Sequence, residues 1–531
     1  MRTIKLSGRK SFTLTTVRSH AKRSGSCRVA RDDAGHNQDR TGQGRESMGL
    51  FTVQELREVI SVTILAGRDS VSGKRRIRQV STDSRSIRRG DLFVALRGEQ
   101  FDGHEFVPAV LAKGAAGAIV HDEYRLPRGP ASARLFEGRS APFLFGVQDP
   151  LFAYQQLATH HRSRFHFPVV AVTGSNGKTT TKDMVAAVLA QRWRTLKTEG
   201  NFNNRIGVPH TLFRLTARHQ AAVIEMGVDH QGQTTRLCEI VRPTVGLITN
   251  IGPDHLEFFG EIEGSVQAKA ELLDMLPVNG TAILNADDPY FGYLASRAQC
   301  RVMSFGFSEM ADISASEVTS DARQGTTFRL HLPGKSRPLA VRIKVHGAHN
   351  VANALAAAAV GVALNLSGSM IVQGLARFLP AAMRSQVVTH RGVYIINDCY
   401  NANPASMKAA LQLLAQWSPV RERIAVLGDM LELGPESRSM HREVGQFLAT
   451  QGLSRLIACG TLGRDIAEGA RRGGMPDLQI EEVADAAASA DRLKKIVRQG
   501  DVVLVKASRG MKMEQVTQVL TGMRAVIKQA S

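Results

Sequence analysis

A short apolar segment that leads into a glycine-containing loop constrains the fold of this 531-residue chain more than any other feature. The segment 168–173 is rich in valine, and such β-branched runs are typical of a buried parallel strand. The loop 174–180 follows at once, and a helix is predicted from about Lys178 to Arg192. A strand, a glycine loop and a helix in this order favour a doubly wound parallel α/β sheet.

The loop 174–180 has the composition of a phosphate-binding site. Its backbone N–H groups and the N-terminus of the following helix can hold phosphate oxygens. Lys178 adds a positive charge toward the β- and γ-phosphates of ATP or GTP, and the Thr179 hydroxyl is placed for Mg²⁺. A fortuitous glycine turn is the alternative, but the strand, the helix and the Gly-Lys-Thr-Thr run all occur together. The predicted nucleotide-binding residues here are Gly174, Ser175, Asn176, Gly177, Lys178, Thr179 and Thr180.

Strand-like and helix-like segments alternate along most of the chain. The alternation begins at residue 168 and restarts after about Leu379, whereas the stretch from about Leu50 to Phe165 has a mixed pattern. This predicts a mixed α/β domain at 48–166, a central phosphate-loop domain at 167–380 and a second parallel α/β domain at 381–531. The buried-strand candidates are Ala221–Met226, Val245–Asn250, Thr281–Asn285, Val393–Asn397, Arg423–Leu427, Arg455–Cys459 and Val502–Lys506.

The first 47 residues are basic, rich in Ser, Thr and Gly, and without apolar periodicity. We predict that 1–47 is a disordered or spurious N-terminal extension, with an organelle transit peptide as the alternative. After Met48, Thr52 and Glu55 have the spacing of a helix capping box.

Composition excludes several classes of protein. The five cysteines are far apart and form no CxxC motif, which argues against a disulfide framework or a zinc site and favours a reducing cytoplasm. No apolar run approaches the roughly 20 residues of a membrane span. The net charge of +20 is dispersed rather than arranged in a basic stripe, so a phosphate-rich substrate is a better explanation than nucleic acid. We expect a cytoplasmic monomer.

Polar residues follow the ends of predicted strands. Glu225 ends one of them, at the edge where parallel sheets bind ligands, and can hold Mg²⁺; helix capping or ion pairing is the alternative. His255 follows the next strand, although a lone loop histidine is usually structural. Lys269 lies on a probable helix, where a lone lysine is normally a solvated charge. Asn350 and Asn353 begin an alanine-rich helix and could bind adenine, but helix capping is the simpler interpretation.

The C-terminal domain repeats this pattern at the ends of three strands. Asn397–Pro404 carries more hydrogen-bonding side chains than a turn requires, which favours a binding site. The segments 428–432 and 506–510 follow two more strands of the same predicted sheet. Such convergence is typical of a ligand-binding edge.

Together these residues resemble the Mur ligase family of peptidoglycan synthesis. The resemblance rests on the run Val172–Thr180, followed in the family's order by Glu225, His255, Lys269 and the Asn350 region, and it covers essentially all of Met48 to the C-terminus. Gly200–Pro209, Asp398–Pro404 and Leu427–Gly434 are most similar to the subgroup that adds D-Ala-D-Ala to UDP-N-acetylmuramoyl (UDP-MurNAc) tripeptide. The Asp-Asn-Pro-Arg signature of the enzymes adding meso-diaminopimelate is absent.

The resemblance implies a bacterial cytoplasmic ligase that forms an acyl phosphate with ATP and two Mg²⁺ ions. Its three domains would bind UDP, bind ATP, and form a Rossmann-like C-terminal unit. It implies Lys178, Glu225, His255 and Lys269 as catalytic residues, with Thr179, Glu225, His255 and carbamylated Lys269 as metal ligands. Further nucleotide contacts fall on Asn350, Arg384 and Asp398. Substrate contacts fall on Asp83, Ser84, Arg85, Asn201, Asn203, Asn204, Tyr400, Asn401, Asn403, Ser508 and Arg509.

Two departures and two alternatives remain. Gln233 stands where the family often has Glu, and Glu261 stands where it usually has Ser. These departures put local substrate contacts at both positions in doubt. A polyglutamate or cyanophycin type of amide ligase would share the scaffold. A non-catalytic nucleotide-binding module is the other alternative, although it would have no reason to keep all the catalytic side chains.

Overall fold

The computed structural model describes residues 49–67, 73–98, 101–127, 129–137, 141–321, 324–418 and 420–522. The extension predicted at 1–47 lies outside the described residues. The described residues form one compact unit, which contains three larger β-sheets that follow one another along the sequence. The predicted α/β class with three successive parts is confirmed.

The first part has a mixed sheet of strand order β2-β7-β6-β5-β4, in which β2 is antiparallel to β7 and the other pairs are parallel. The capping box at the start of α1 is confirmed, because Thr52 Oγ1 accepts from Glu55 N and Glu55 Oε2 accepts from Thr52 N. A small antiparallel pair, β1 with β3, lies beside it. The elements are β1 (Phe51–Thr52), α1 (Val53–Val59), β2 (Thr63–Ala66), β3 (Arg76–Ile77), β4 (Val80–Ser81), β5 (Leu92–Val94), α2 (Val107–Ala112), β6 (Gly117–His121), α3 (Pro130–Leu135), β7 (Phe143–Val147) and α4 (Pro150–Ser163).

The central sheet has the order β16-β15-β14-β13-β12-β11-β8-β10-β9 and is parallel from β9 through β14, with β15 and β16 added antiparallel. The strands are β8 (Val169–Thr173), β9 (Thr195–Lys197), β10 (Ala221–Glu225), β11 (Val245–Ile248), β12 (Thr281–Asn285), β13 (Arg301–Gly306), β14 (Ile313–Asp321), β15 (Gly325–His331) and β16 (Leu339–Ile343). The helices are α5 (Lys178–Leu189), α6 (Gly207–Leu212), α7 (Gln233–Val241), α8 (Leu256–Phe259), α9 (Ile262–Asp274), α10 (Phe291–Arg297), α11 (Ala348–Ala363) and α12 (Gly368–Arg377).

The C-terminal sheet has the order β17-β18-β22-β19-β20-β21 and is parallel except for β17. Its strands are β17 (Gln386–His390), β18 (Val393–Asn397), β19 (Arg423–Gly428), β20 (Arg455–Cys459), β21 (Ile480–Val483) and β22 (Val502–Lys506). Its helices are α13 (Pro404–Gln416), α14 (Ser437–Ala449), α15 (Gly463–Arg472), α16 (Ala486–Ile496) and α17 (Glu514–Thr521).

The predicted buried strands are all present, with small corrections at their ends. β11 stops at Ile248 rather than Asn250, because Thr249 and Asn250 turn away to hold the glycine loop. α5 ends at Leu189 rather than Arg192. None of the helices in the described ranges is long and apolar enough to cross a bilayer.

Helix α4 joins the first part to the central part. Its Arg162 is buried and donates from Nε to Val241 O at 2.8 Å, at the end of α7. His161 Nε2 lies 3.1 Å from Leu215 O, just after α6. Because α4 packs on central helices as well as on its own sheet, the two parts share one apolar core.

Candidate active site

The glycine loop lies between the end of β8 and the start of α5, at the carboxyl edge of the central sheet. Gly174 and Gly177 have φ angles of +134° and +79°, which glycine adopts without the steric cost of a Cβ. A Cβ on Gly174 would lie 2.1 Å from Thr249 Oγ1. The same hydroxyl donates to Asn176 O at 2.5 Å, so the end of β11 fixes the loop.

The backbone N–H groups of the loop fall into two sets. Those of Ser175 and Asn176 donate to Asn250 O and Oδ1, each at 2.9 Å. These two amides are therefore already bonded within the protein in this structure. The first-turn amides of α5, including those of Lys178 and Thr179, have no acceptor within the helix. The amides open to an anion are thus those at the N-terminus of α5.

Lys178 lies directly over the loop. Its Nζ donates to the carbonyl oxygens of Gly174 and Ser175, at 2.5 and 3.2 Å. These bonds hold an ammonium beside the amides of α5. The cation and the helix dipole therefore act together on any anion bound there.

Substitution of Gly177 by alanine is expected to damage this loop. The new Cβ would require a left-handed backbone and would lie 2.4 Å from Asn353 Oδ1. We expect a loss of about 1–3 kcal/mol in the free energy of unfolding and nucleotide binding at least about tenfold weaker. Thermal unfolding and calorimetric titration with ADP measure both.

Gly232→Ala is the matched control. Gly232 is also a helix N-cap, at φ +80°, but no atom lies within 4 Å of the position of its Cβ. It should share the backbone strain and leave ADP binding unchanged. Equal ADP affinity in both variants would contradict the loop's assigned role.

Glu225 ends β10 beside the loop. Its Oε1 accepts from Thr179 Oγ1 and Asn203 Nδ2, each at 3.0 Å. Its Oε2 is buried and has no hydrogen-bond partner among the described residues, although Lys182 Nζ lies at ion-pair distance, 3.6 Å. The ion-paired alternative for Glu225 therefore holds, and its bond to Thr179 places the two predicted Mg²⁺ ligands side by side, while their metal role stays a prediction.

These oxygens suit a hard divalent cation. A carboxylate and a hydroxyl are ligands that Mg²⁺ accepts, and waters and phosphate oxygens usually complete its shell. In the ranges that the structure describes, no three His, Cys, Asp or Glu side chains cluster as a ready-made metal site. The free Glu225 Oε2 and the adjacent Thr179 hydroxyl fit a cation shared with a nucleotide.

Lys269 is buried, which corrects the interpretation of it as a solvated charge. Only 1% of its side chain is exposed, and Nζ donates to Asp254 Oδ1 at 3.0 Å and to Ser265 Oγ at 2.5 Å. Burial lowers the pKa of Lys269, and the nearby Asp254 only partly opposes this. Asp254 Oδ1 also accepts from Ser175 Oγ at 2.7 Å, which connects the cluster to the glycine loop.

His255 lies on the same loop as Asp254 and faces the C-terminal part. Its φ is +52°, and its Nδ1 lies 2.7 Å from Glu432 Oε2 in the loop after β19. A second contact joins the two parts, because Asn403 Nδ2 donates to Asn176 Oδ1 at 2.9 Å. His255 and Lys269 each bind a different carboxylate here, so their shared metal role stays a prediction.

Asn350 and Asn353 do not cap α11, whose N-cap is Gly347; the capping interpretation is wrong. Asn350 Nδ2 donates to His346 O at 2.8 Å, and Asn353 Nδ2 donates to Asn350 Oδ1 at 3.1 Å. Thr181 Oγ1 in α5 extends this series of hydrogen bonds by donating to Asn353 Oδ1 at 3.1 Å. Both amides are buried; Asn353 contacts α5 directly and Asn350 contacts Asn353. A direct nucleotide contact by Asn350 stays a prediction.

The strand ends of the C-terminal sheet converge as predicted. Buried Lys506 donates from Nζ to Asp398 Oδ2 at 2.6 Å and to Asn401 O at 3.0 Å. The Arg384 guanidinium lies 3.9 Å from the centre of the Tyr400 ring.

Three further residues predicted to contact ligands in this sheet have protein partners. Arg509 Nη1 is 3.3 Å from Glu514 Oε1. Ser508 Oγ accepts from Leu431 N at 2.9 Å. Asn403 caps α13 with its Oδ1, which accepts from Ser406 N. Ligand contacts by these residues stay predictions.

The predicted UDP contacts lie in the turn after β4. Arg85 Nε donates to Asp83 Oδ1 at 2.9 Å, and this bond is the main reason that the pKa of Asp83 is lowered. Lys113 Nζ donates to Ser84 O at 3.0 Å.

In the central part, Asn204 Oδ1 accepts from Gly207 N at the start of α6. Asn203 O accepts from Gly227 N, and Asn201 O from Asn203 N, so these residues shape the loop beside Glu225.

Sequence reasoning missed three residues of the site. Asp254 stands next to His255, and Ser265 lies one helical turn before Lys269 in α9, so helical spacing offered a signal for Ser265. Lys182 lies one turn after Lys178 in α5 and points to Glu225. Nothing in the sequence indicated that Lys182 would be buried.

Comparisons with known proteins agree with this geometry. The Mur ligase middle domain matches residues 172–361, the Mur ligase glutamate ligase domain 383–509, and the Mur ligase family catalytic domain 76–137. The UDP-N-acetylmuramoyl-tripeptide–D-alanyl-D-alanine ligase of Bacillus subtilis is 36% identical over 445 residues, 84% of this chain and 93% of that protein.

Solved structures give the same relationship. MurF from Acinetobacter baumannii is similar with a TM-score of 0.79 and 33% identity, covering 89% of this chain and 99% of that chain. The MurF ligase from Thermotoga maritima in complex with ADP has a TM-score of 0.73 and 28% identity, covering 83% and 96%. With its phosphate loop, strand-end Glu225 and buried Lys269 in place, the chain belongs to the Mur ligase family.

Proposed function

We propose that this chain joins D-alanyl-D-alanine to UDP-MurNAc-tripeptide, with ATP converted to ADP and phosphate. The observation that carries the proposal is the phosphate loop at the N-terminus of α5 with Glu225 bonded to Thr179 beside it. That arrangement supports phosphoryl transfer from ATP. The two substrates are supported by the names of relatives that match over most of the chain.

The proposed reaction has two balanced steps. A carboxylate oxygen of the tripeptide attacks the γ-phosphorus of ATP. The bond between the γ-phosphorus and the β–γ bridging oxygen breaks, so that ADP departs and the tripeptide carries an acyl phosphate. The amine of D-Ala-D-Ala then attacks the acyl carbon, phosphate leaves, and the nitrogen loses a proton to give the amide. Lys178 and the first amides of α5 stabilise the negative charge of the transferring phosphoryl group.

Mg²⁺ supplies charge neutralisation of the phosphates when it is bound. Thr179 and Glu225 would hold one ion, and their oxygens suit it. His255 and Lys269 would hold a second only if Lys269 carried CO₂, because its ammonium repels a cation. The lowered pKa of the buried Lys269 favours the neutral amine that reacts with CO₂.

The remaining assignments follow the three parts of the chain. We assign UDP binding to 48–166 through Asp83, Ser84 and Arg85, ATP binding to 167–380, and the D-Ala-D-Ala site to 381–531. Asn350, Arg384 and Asp398 are assigned to the nucleotide. The loops carrying Asn201, Asn203, Asn204, Tyr400, Asn401, Asn403, Ser508 and Arg509 are assigned to the two substrates. A monomer in the bacterial cytoplasm, where ATP and UDP-linked precursors are found, fits this reaction.

Release of phosphate in a coupled assay tests the proposal. We expect release to require ATP, UDP-MurNAc-tripeptide and D-Ala-D-Ala together, with the pentapeptide product identified by mass spectrometry. Omission of any one should reduce the rate to background. Glutamate addition to a folate or a polyglutamate, with no response to UDP-MurNAc-tripeptide, would instead support another ligase on this scaffold.

A further inference from the structure

A buried lysine stands behind the proposed cation site and has no part in the reaction as described above. Lys182 is only 2% exposed at its side chain, and it lies one helical turn after Lys178 in α5. Its Nζ is 3.6 Å from Glu225 Oε2 and 3.4 Å from Asp183 Oδ1. Asp183 is in turn paired with Lys197 at 2.7 Å, and 46% of the Lys197 side chain is exposed.

The two carboxylates of this network, Asp183 and Glu225, have different numbers of cationic neighbours. Asp183 has two cationic neighbours, of which Lys197 is at hydrogen-bond distance. Glu225 Oε1 receives two neutral donors, whereas Oε2 has no hydrogen-bond donor among the described residues and faces only the Lys182 ammonium. A buried charge is costly unless it is paired, so Lys182 and Glu225 stabilise each other.

The distance between Lys182 and Glu225 is also informative. At 3.6 Å the ammonium neutralises the carboxylate without occupying the Oε2 lone pairs through a short hydrogen bond. The Oε2 lone pairs are therefore not used by a hydrogen bond among the described residues and can serve a cation held beside Thr179. The same ammonium also repels a cation bound to Glu225, because two positive charges then share one carboxylate.

We propose that Lys182 is a positioning residue that compensates Glu225 before a divalent cation binds and keeps the affinity for that cation low. The inference rests on the cation site assigned to Thr179 and Glu225 in the proposed function. Weak binding of the bare ion has a consequence for the reaction. The cation is held firmly only when nucleotide phosphates add their charge, so that ATP and metal enter together.

Titration with Mn²⁺ alone, without ATP or either substrate, tests this role. We expect Lys182→Met to lower the melting temperature of the metal-free protein, since Glu225 loses its buried partner. We expect Mn²⁺ to bind Lys182→Met about tenfold or more tighter than the wild type, the size of effect that a neighbouring cation has on proton binding by a carboxylate. Calorimetry gives the affinity, and thermal unfolding gives a larger Mn²⁺-induced stabilisation.

Three further variants make the test specific. Lys182→Arg keeps the charge and should retain the weak Mn²⁺ binding. Lys197→Met removes the exposed partner of Asp183 and should leave Mn²⁺ binding unchanged. Lys182→Met combined with Glu225→Gln should regain metal-free stability and lose the tight Mn²⁺ binding, because neither charge of the pair remains.

Each outcome decides the proposal. Mn²⁺ affinity equal to wild type in folded Lys182→Met overturns it, as does tight binding that persists in the double variant. If Lys182→Met is unfolded without metal, refolding by Mn²⁺ or by the added Glu225→Gln change supports the proposal, and failure of both overturns it. Because no nucleotide or substrate is present, a protein without ligase activity would refute the proposed function and leave this result standing.

Discussion

Replacement of Lys178 by alanine is expected to reduce kcat/KM for ligation by at least about 10³-fold, the upper range for loss of one preorganised charge stabiliser. The ammonium lies over the loop that would hold the γ-phosphate, and its bonds there are to loop carbonyls rather than to a buried carboxylate. Its removal therefore takes away transition-state stabilisation with little effect on the fold. Lys178→Arg should be almost as inactive, because a planar guanidinium cannot occupy the position of a compact ammonium.

Lys335→Ala is the matched control for Lys178→Ala. Lys335 is exposed in the turn between β15 and β16, so its loss removes one positive charge far from the loop. We expect wild-type rates from it in the phosphate-release assay. We also expect melting temperatures within a few degrees of wild type for both variants. A folded Lys178→Ala protein that ligates at near-normal rates would refute the phosphate-loop assignment.

The sequence predicted the strands and helix around the glycine loop well because local patterns determine them. The valine-rich β8, the glycine loop and the start of α5 are contiguous, and Glu225 ends a strand that is recognisable by its own apolar run. Parallel strands bring their carboxyl ends to one edge, so strand order did not have to be known. The antiparallel strands β15, β16 and β17 were not predicted, since their exposed faces give no continuous apolar run.

Contacts between distant segments could not be predicted in the same way. Asn403 and Asn176 are 227 residues apart, and His255 and Glu432 are 177 residues apart. Their contacts depend on how the central and C-terminal sheets pack, which no local pattern encodes. The burial of Lys269 and Lys182 has the same origin, because each lies on a helix whose exposed face is decided by tertiary packing. The sequence alone therefore favoured a solvated Lys269, and only the family resemblance suggested otherwise.

Replacement of Lys269 by alanine is expected to have two separable effects. In protein kept free of CO₂, where Lys269 is an amine paired with Asp254, the change leaves Asp254 buried without its cation and should lower the free energy of unfolding by roughly 3–5 kcal/mol. It also removes the proposed carbamate, so we expect ligation to fall by at least about 10²-fold, comparable to loss of a charge-stabilising group. Thermal unfolding measures the first effect and the phosphate-release assay the second.

The double variant Asp254→Asn with Lys269→Ala separates structure from chemistry. Asparagine at 254 can keep the bonds from Ser175 and Ser265 without a buried charge, so stability should largely return. If Lys269 serves only as a counter-ion for Asp254, activity should return with it. If Lys269 acts as a carbamate, the double variant stays inactive. Acetate or propionate should then partly restore ligation in Lys269→Ala by placing a carboxylate in the vacated space. No rescue by either acid, together with an intact mass of wild type that shows no added CO₂, would exclude the carbamate.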